Sequence, residues 1–148
     1  MHAPRTSGLA PAGKTRDNGR MKPTIFVVED QKDLRESICE ELDRSGFNTV
    51  GASHGEKALA LLHRSGSRPA LMLLDLLLPH KDGWEVVASM KADAKLRKVP
   101  IVVMSAAPPQ ATSLQAQGVA ATLPKPFTME ELLFVVTRFV QPEKARRT

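Results

Sequence analysis

The sequence predicts an α/β fold, a doubly wound five-stranded parallel sheet with helices on both faces. Two observations carry this expectation. Between Ile25 and Val140, short apolar runs alternate five times with amphipathic stretches, the pattern of parallel strands joined by crossover helices. The 148 residues, 42% hydrophobic and 25% charged, match the composition of a globular domain and suffice for one core but not two.

The first run, Ile25-Phe26-Val27-Val28, reads as a buried strand. From Asp33 to Ser45, Leu34, Ile38 and Leu42 recur at helical spacing, and Gly46 supplies the stop. Phe47 to Ala52 is a weaker strand. The stretch from Gly55 to Arg64 is helical with Ala58, Leu59, Leu61 and Leu62 on its apolar face, and the Ser65-Gly66-Ser67 cluster ends it. Leu71-Met72-Leu73-Leu74 is the third strand. After a loop with Pro79, Asp82 and Gly83, a helix from Trp84 to Ala92 turns Val86, Val87 and Met90 inward. Pro100 precedes the fourth strand, Ile101-Val102-Val103-Met104. Gln110 to Gln117 has Leu114 as its one large apolar residue and follows Pro108-Pro109, so the fourth helix is short and marginal. Val119 to Leu123 gives the fifth strand. The fifth helix, Met129 to Val140, carries Leu132, Leu133, Val136 and Phe139 on one face, and Pro142 closes the fold.

Charge is distributed unevenly. The chain has net charge +5 and a pI near 9.7, but the basicity sits at its ends. Residues 1–22 hold Arg5, Lys14, Arg16, Arg20 and Lys22 against Asp17; residues 143–148 hold Lys144, Arg146 and Arg147 against Glu143. The segment between them is close to neutral, which argues against a nucleic-acid-binding fold. Residues 1–21 lack an apolar period and read as a disordered basic tail, and residues 142–148 as a second one. No apolar run approaches the roughly 18 residues of a membrane helix, and no signal-type segment opens the chain, so a cytoplasmic location is expected. The lone Cys39 cannot form an intramolecular disulfide, and His2, His54, His63 and His80 lack metal-ligand spacing. Cys39, beside the apolar stripe of the first helix, reads as a packing residue, as does Trp84, and His80 as a solvated loop residue.

In a doubly wound sheet, functional groups collect at the carboxyl ends of the strands. Glu29 and Asp30 follow the first strand, Asp75 the third, Ser105 the fourth, and Lys125 the fifth. An acid at one strand end is ordinarily a helix cap, and one lysine is ordinarily solvated surface. Capping and solvation give no reason for all five to converge. If the first and third strands are neighbours, three carboxylates meet and repel unless a cation neutralises them. All-oxygen donors of this kind select a hard ion, Mg²⁺ by default. A lysine and a hydroxyl on the same rim complement phosphoryl oxygens and leave one carboxylate to act as nucleophile.

These residues resemble the response-regulator receiver domain of bacterial two-component signalling, over residues 22–141. The resemblance rests on Glu29-Asp30, on Asp75-Leu76-Leu77-Leu78-Pro79 with Asp82-Gly83, on Ser105-Ala106, and on Lys125-Pro126-Phe127. It implies a flavodoxin-like sheet of order 2-1-3-4-5. It implies Asp75 as phosphoacceptor, and Mg²⁺ held by Asp30, Asp75 and the backbone carbonyl of Leu77, with Glu29 acting through water. Ser105, the backbone of Ala106 and Lys125 would bind the phosphoryl group, and a cis peptide is expected at Lys125-Pro126. The implied donor is a phosphohistidine on a sensor histidine kinase or histidine phosphotransfer protein. The chain would be a phosphoacceptor and not an enzyme, with at most slow self-dephosphorylation.

With no DNA-binding domain and no membrane segment in view, a single-domain protein is expected, a monomer or weak phosphorylation-dependent dimer. It would dock its target through the face of the fourth helix, fifth strand and fifth helix. Two departures from the family bear on behaviour. Thr122 stands where an aromatic is common, so the conformational relay is expected to run from Ser105 through Ala106 to Gln110. Leu77 and Ala107 are apolar where many relatives carry polar groups, so the acyl phosphate should be long-lived. Three rivals are weighed. A flavodoxin-type carrier is disfavoured because Glu29-Asp30 would repel FMN phosphate. A haloacid-dehalogenase-type phosphatase is disfavoured because Leu77 replaces its second Asp. A degenerate receiver acting as a phosphorylation-independent scaffold is disfavoured because no site residue is lost.

Overall fold

A computed structural model of the chain describes residues 16–17, 20–65, 68–76, 83–106 and 118–142. Five parallel strands, β1 (Thr24–Val28), β2 (Asn48–Ala52), β3 (Leu71–Asp75), β4 (Ile101–Ser105) and β5 (Ala121–Pro124), form one sheet in the order 2-1-3-4-5. Four helices are described: α1 (Lys32–Arg44), α2 (Gly55–Ser65), α3 (Gly83–Lys91) and α4 (Met129–Thr137). The marginal helix expected over Gln110–Gln117, the loop with Pro79 and Asp82, and Leu77, His80 and Ala107 lie outside the described residues.

Alternation along the central strands divides the core into two layers. Phe26 and Val28, Met72 and Leu74, and Ile101 and Val103 face α2 and α3, where they meet Ala58, Leu62, Val86, Val87 and Met90. Their neighbours Ile25 and Val27, Leu71 and Leu73, and Val102 and Met104 face α1 and α4, against Ile38, Leu42, Leu132 and Val136. Period-two side-chain placement on strands buried on both faces produces this division.

Several boundaries differ from those read in the sequence. Phe47 precedes β2 because it completes the end of α1: Phe47 N–H donates to Leu42 O at 3.1 Å and Gly46 N–H to Asp43 O at 3.4 Å. Gly46 has φ 99°, as this helix-terminating motif requires. The fifth strand begins at Ala121 and not Val119, which is buried just before it. α4 ends at Thr137, and its fully inward residues include Val135, whereas Leu133 and Phe139 are only partly buried. Near the start of the described residues, Arg16–Asp17 pairs antiparallel with Arg20–Met21.

Candidate functional site

The sheet order puts β1 and β3 side by side, so residues after β1 meet the last residue of β3. Glu29, Asp30 and Asp75 each offer a carboxylate oxygen, all within 4.8 Å of one another. Asp75 and Glu29 are buried; Asp30 is exposed. Lys125 arrives from β5, where its N–H donates to Ser105 O at 2.9 Å. Its ammonium donates to Glu29 Oε1 at 2.8 Å and to Asp75 Oδ2 at 3.1 Å. The Lys125-Pro126 peptide is cis. Ser105 is buried at the end of β4, and Ala106 is exposed directly after it.

Glu29 is 0% exposed, and burial pushes its carboxyl above the ordinary range although Lys125 and the Gln31 N–H pull the other way. Burial also disfavours the charged form of Lys125, but its hydrogen bonds to Glu29 and Asp75 prevail and hold the ammonium above its usual value. Both oxygens of Glu29 are engaged, Oε2 by the Gln31 N–H at 3.1 Å. Asp30 is the exposed member of the three, and Asp75, 5% exposed, shares the Lys125 ammonium with Glu29. One ammonium against three carboxylates leaves a net negative, all-oxygen site that fits a hard divalent cation such as Mg²⁺.

The structure thus brings together Glu29, Asp30, Asp75, Ser105 and Lys125. Thr122, half-buried on β5, lines a groove with Pro126 and Phe134. Leu77 lies outside the described residues. Sequence reasoning missed Arg35, whose Nη1 donates to the Glu29 carbonyl oxygen at 2.8 Å. Its one signal is a cation in the first turn of a helix, where the helix dipole disfavours it.

The chain is similar to known proteins. The family model for the response regulator receiver domain matches residues 25–137. Response regulator MprA of Mycolicibacterium vanbaalenii is 34% identical over 117 residues, covering 76% of this chain and 48% of that protein. The chain spans about half the length of the curated relatives it matches. Chemotaxis protein CheY4 of Vibrio cholerae has the same fold, with TM-score 0.74 at 23% identity, over 80% of this chain and 98% of that one. The receiver domain of a sensor histidine kinase from Pseudomonas aeruginosa, which has a magnesium ion coordinated in its active-site cleft, gives TM-score 0.70 at 27% identity. That match covers 79% of this chain and 96% of that one.

Proposed function

The chain belongs to the response regulator receiver domain family, and from that membership we propose that Asp75 accepts a phosphoryl group from a partner's phosphohistidine in a magnesium-dependent reaction. The partner is a sensor histidine kinase or a histidine phosphotransfer protein, and the phosphorylated form signals by altered docking to another protein. Residues 22–141 are the receiver module on this reading. The observation that carries it is the Lys125 ammonium bridging Glu29 and Asp75 inside a cluster of three carboxylates.

An oxygen of Asp75 forms the new bond to phosphorus as the phosphorus–nitrogen bond to the donor imidazole breaks, the electron pair leaving with the ring nitrogen. Glu29 is fully buried, its two oxygens accepting from Lys125 and from the Gln31 N–H. Lys125 already sits 3.1 Å from Asp75 Oδ2, so its ammonium is placed to donate to the arriving phosphoryl oxygens with little movement. The Ser105 hydroxyl and the Ala106 N–H, at the end of the adjacent strand, supply further donors. Asp30, Asp75 and the Leu77 carbonyl would hold Mg²⁺, with Glu29 acting through water. When bound, the ion supplies charge neutralisation for the transferring oxygens. Docking is assigned to the face around β5 and α4, where Phe134 is 68% exposed beside Thr122, Pro126 and Glu130.

The test is labelling with acetyl phosphate, read by intact mass. The wild-type chain should gain one phosphoryl group only when magnesium is present, and Asp75→Asn should gain none. A wild-type chain that never gains that mass overturns the proposal.

A further inference from the structure

The turn that carries Glu29 and Asp30 is held from two directions. On the side-chain side, the Glu29 carboxylate is fixed by Lys125 and by the Gln31 N–H. On the main-chain side, the Glu29 N–H is the last to donate to β2, reaching Ala52 O at 3.0 Å. The Glu29 carbonyl instead accepts from Arg35 Nη1 at 2.8 Å. Arg35 is anchored in the first turn of α1, where its own N–H donates to Gln31 O at 2.9 Å. The residues between the guanidinium and the carbonyl it holds are those that pass through Asp30 and Gln31. The Gln31 side chain makes no capping bond to α1, so the Arg35 contact ties the helix start back to the strand end. The stem of Arg35 runs over β2 at Gly51, where an added Cβ would lie 3.4 Å from Arg35 Cδ.

Resting on the magnesium site proposed above, we propose that Arg35 is a positioning residue for divalent-cation binding. By holding the Glu29 carbonyl it fixes the turn that presents Asp30, although it supplies no ligand. The sign of its effect separates this role from simple electrostatics. As a charge beside an acidic site, Arg35 repels a cation, and its removal would tighten binding. As a structural tie, its removal loosens the turn and weakens binding, as losses around metal ligands commonly do by about 10-fold or more.

The test uses Arg35→Met, which keeps the apolar stem over Gly51, and Arg35→Lys, which keeps the charge and one donor. The whole chain is titrated with MgCl₂ and followed by backbone amide shifts, with unfolding midpoints measured in parallel. Arg35→Met should weaken magnesium binding about 10-fold, with Arg35→Lys intermediate and the Gln31 amide exchanging faster in magnesium-free buffer. A folded Arg35→Met that binds magnesium as tightly as wild type, or more tightly, overturns the proposal. If Arg35→Met does not fold, Arg35→Lys decides, and a wild-type affinity there overturns it equally. A wild-type chain that binds no magnesium overturns the metal site as well, which is a distinguishable failure.

Discussion

Lys125 makes a fully buried Glu29 tolerable, since a charge without solvent needs a partner within hydrogen-bonding distance. Lys125→Met should therefore destabilise the fold on the order of 3 kcal/mol, seen as an earlier urea midpoint. Adding Glu29→Gln should recover much of that loss; a single variant with an unchanged midpoint would show the pair to be dispensable. Cys39 behaves oppositely, with no charge to satisfy: burial raises its thiol to about 11. In the unfolded chain the thiol ionises near 9.0, so its contribution is fully present below that pH and is lost as pH rises toward 11. Iodoacetamide at pH 9 should label native protein far more slowly than urea-unfolded protein. The sequence has Leu77 and Ala107, both apolar, where polar side chains could orient a hydrolytic water, so on the proposed function phosphorylated Asp75 should persist well beyond seconds in magnesium buffer. Decay within seconds, followed by intact mass, would refute this. The acids, the hydroxyl and the lysine were legible because strand ends in this fold class share an edge. Arg35 was not legible, because its partner is a main-chain carbonyl and leaves no complementary residue type in the sequence.

Elements explain where that legibility ended. Short apolar runs identified β1, β3 and β4, and weaker ones β2 and β5, but their limits depend on hydrogen bonding that hydropathy does not encode, as Phe47 shows by closing α1 instead of opening β2. Leu96 and Val99 join the core from the irregular segment after α3. Burial of such side chains contributes about 1.5–3 kcal/mol each, yet without a period they gave no signal. The start of α4 carries a capping box in which Thr128 Oγ1 accepts from Glu131 N–H at 3.0 Å and Glu131 Oε1 from Thr128 N–H at 2.9 Å. At the start of α3, Gly83 donates its N–H to Leu76 O at 2.9 Å. A Cβ there would fall 2.6 Å from Leu76 Cα and 2.9 Å from the Asp75 carbonyl oxygen. Those are main-chain atoms beside the proposed nucleophile, so they cannot swing aside as a flexible side chain would. Gly83→Ala should cost about 1–3 kcal/mol by overpacking and should also lower the rate of acetyl phosphate labelling. Full stability and full labelling in this variant would show that α3 can shift without moving Asp75.

For the whole molecule, direction of the chain sets the electrostatics. The described helices carry acids in their first turns, Asp33, Glu56, Glu85, Glu130 and Glu131, while α1, α2 and α3 end on Arg44, on His63 and Arg64, and on Lys91. This arrangement complements the helix dipoles. In a parallel α/β sheet it also places the acidic turns toward the edge where Glu29, Asp30 and Asp75 meet. A chain of net charge +5 thus presents a locally acidic site, where three carboxylates share the single ammonium of Lys125. On the proposed function magnesium would bind the folded arrangement and not the unfolded chain, so at ten times its dissociation constant it should stabilise by about 1.4 kcal/mol. For a domain of this size that is a rise of about 5 °C in the unfolding midpoint. Sodium chloride at matched ionic strength screens the same charges without bridging them and should give a much smaller rise. Asp30→Asn, which removes an exposed carboxylate proposed as a ligand without emptying the core, should abolish the magnesium-specific part. Equal rises in the two salts would mean that the cluster responds to ionic strength alone and holds no ion.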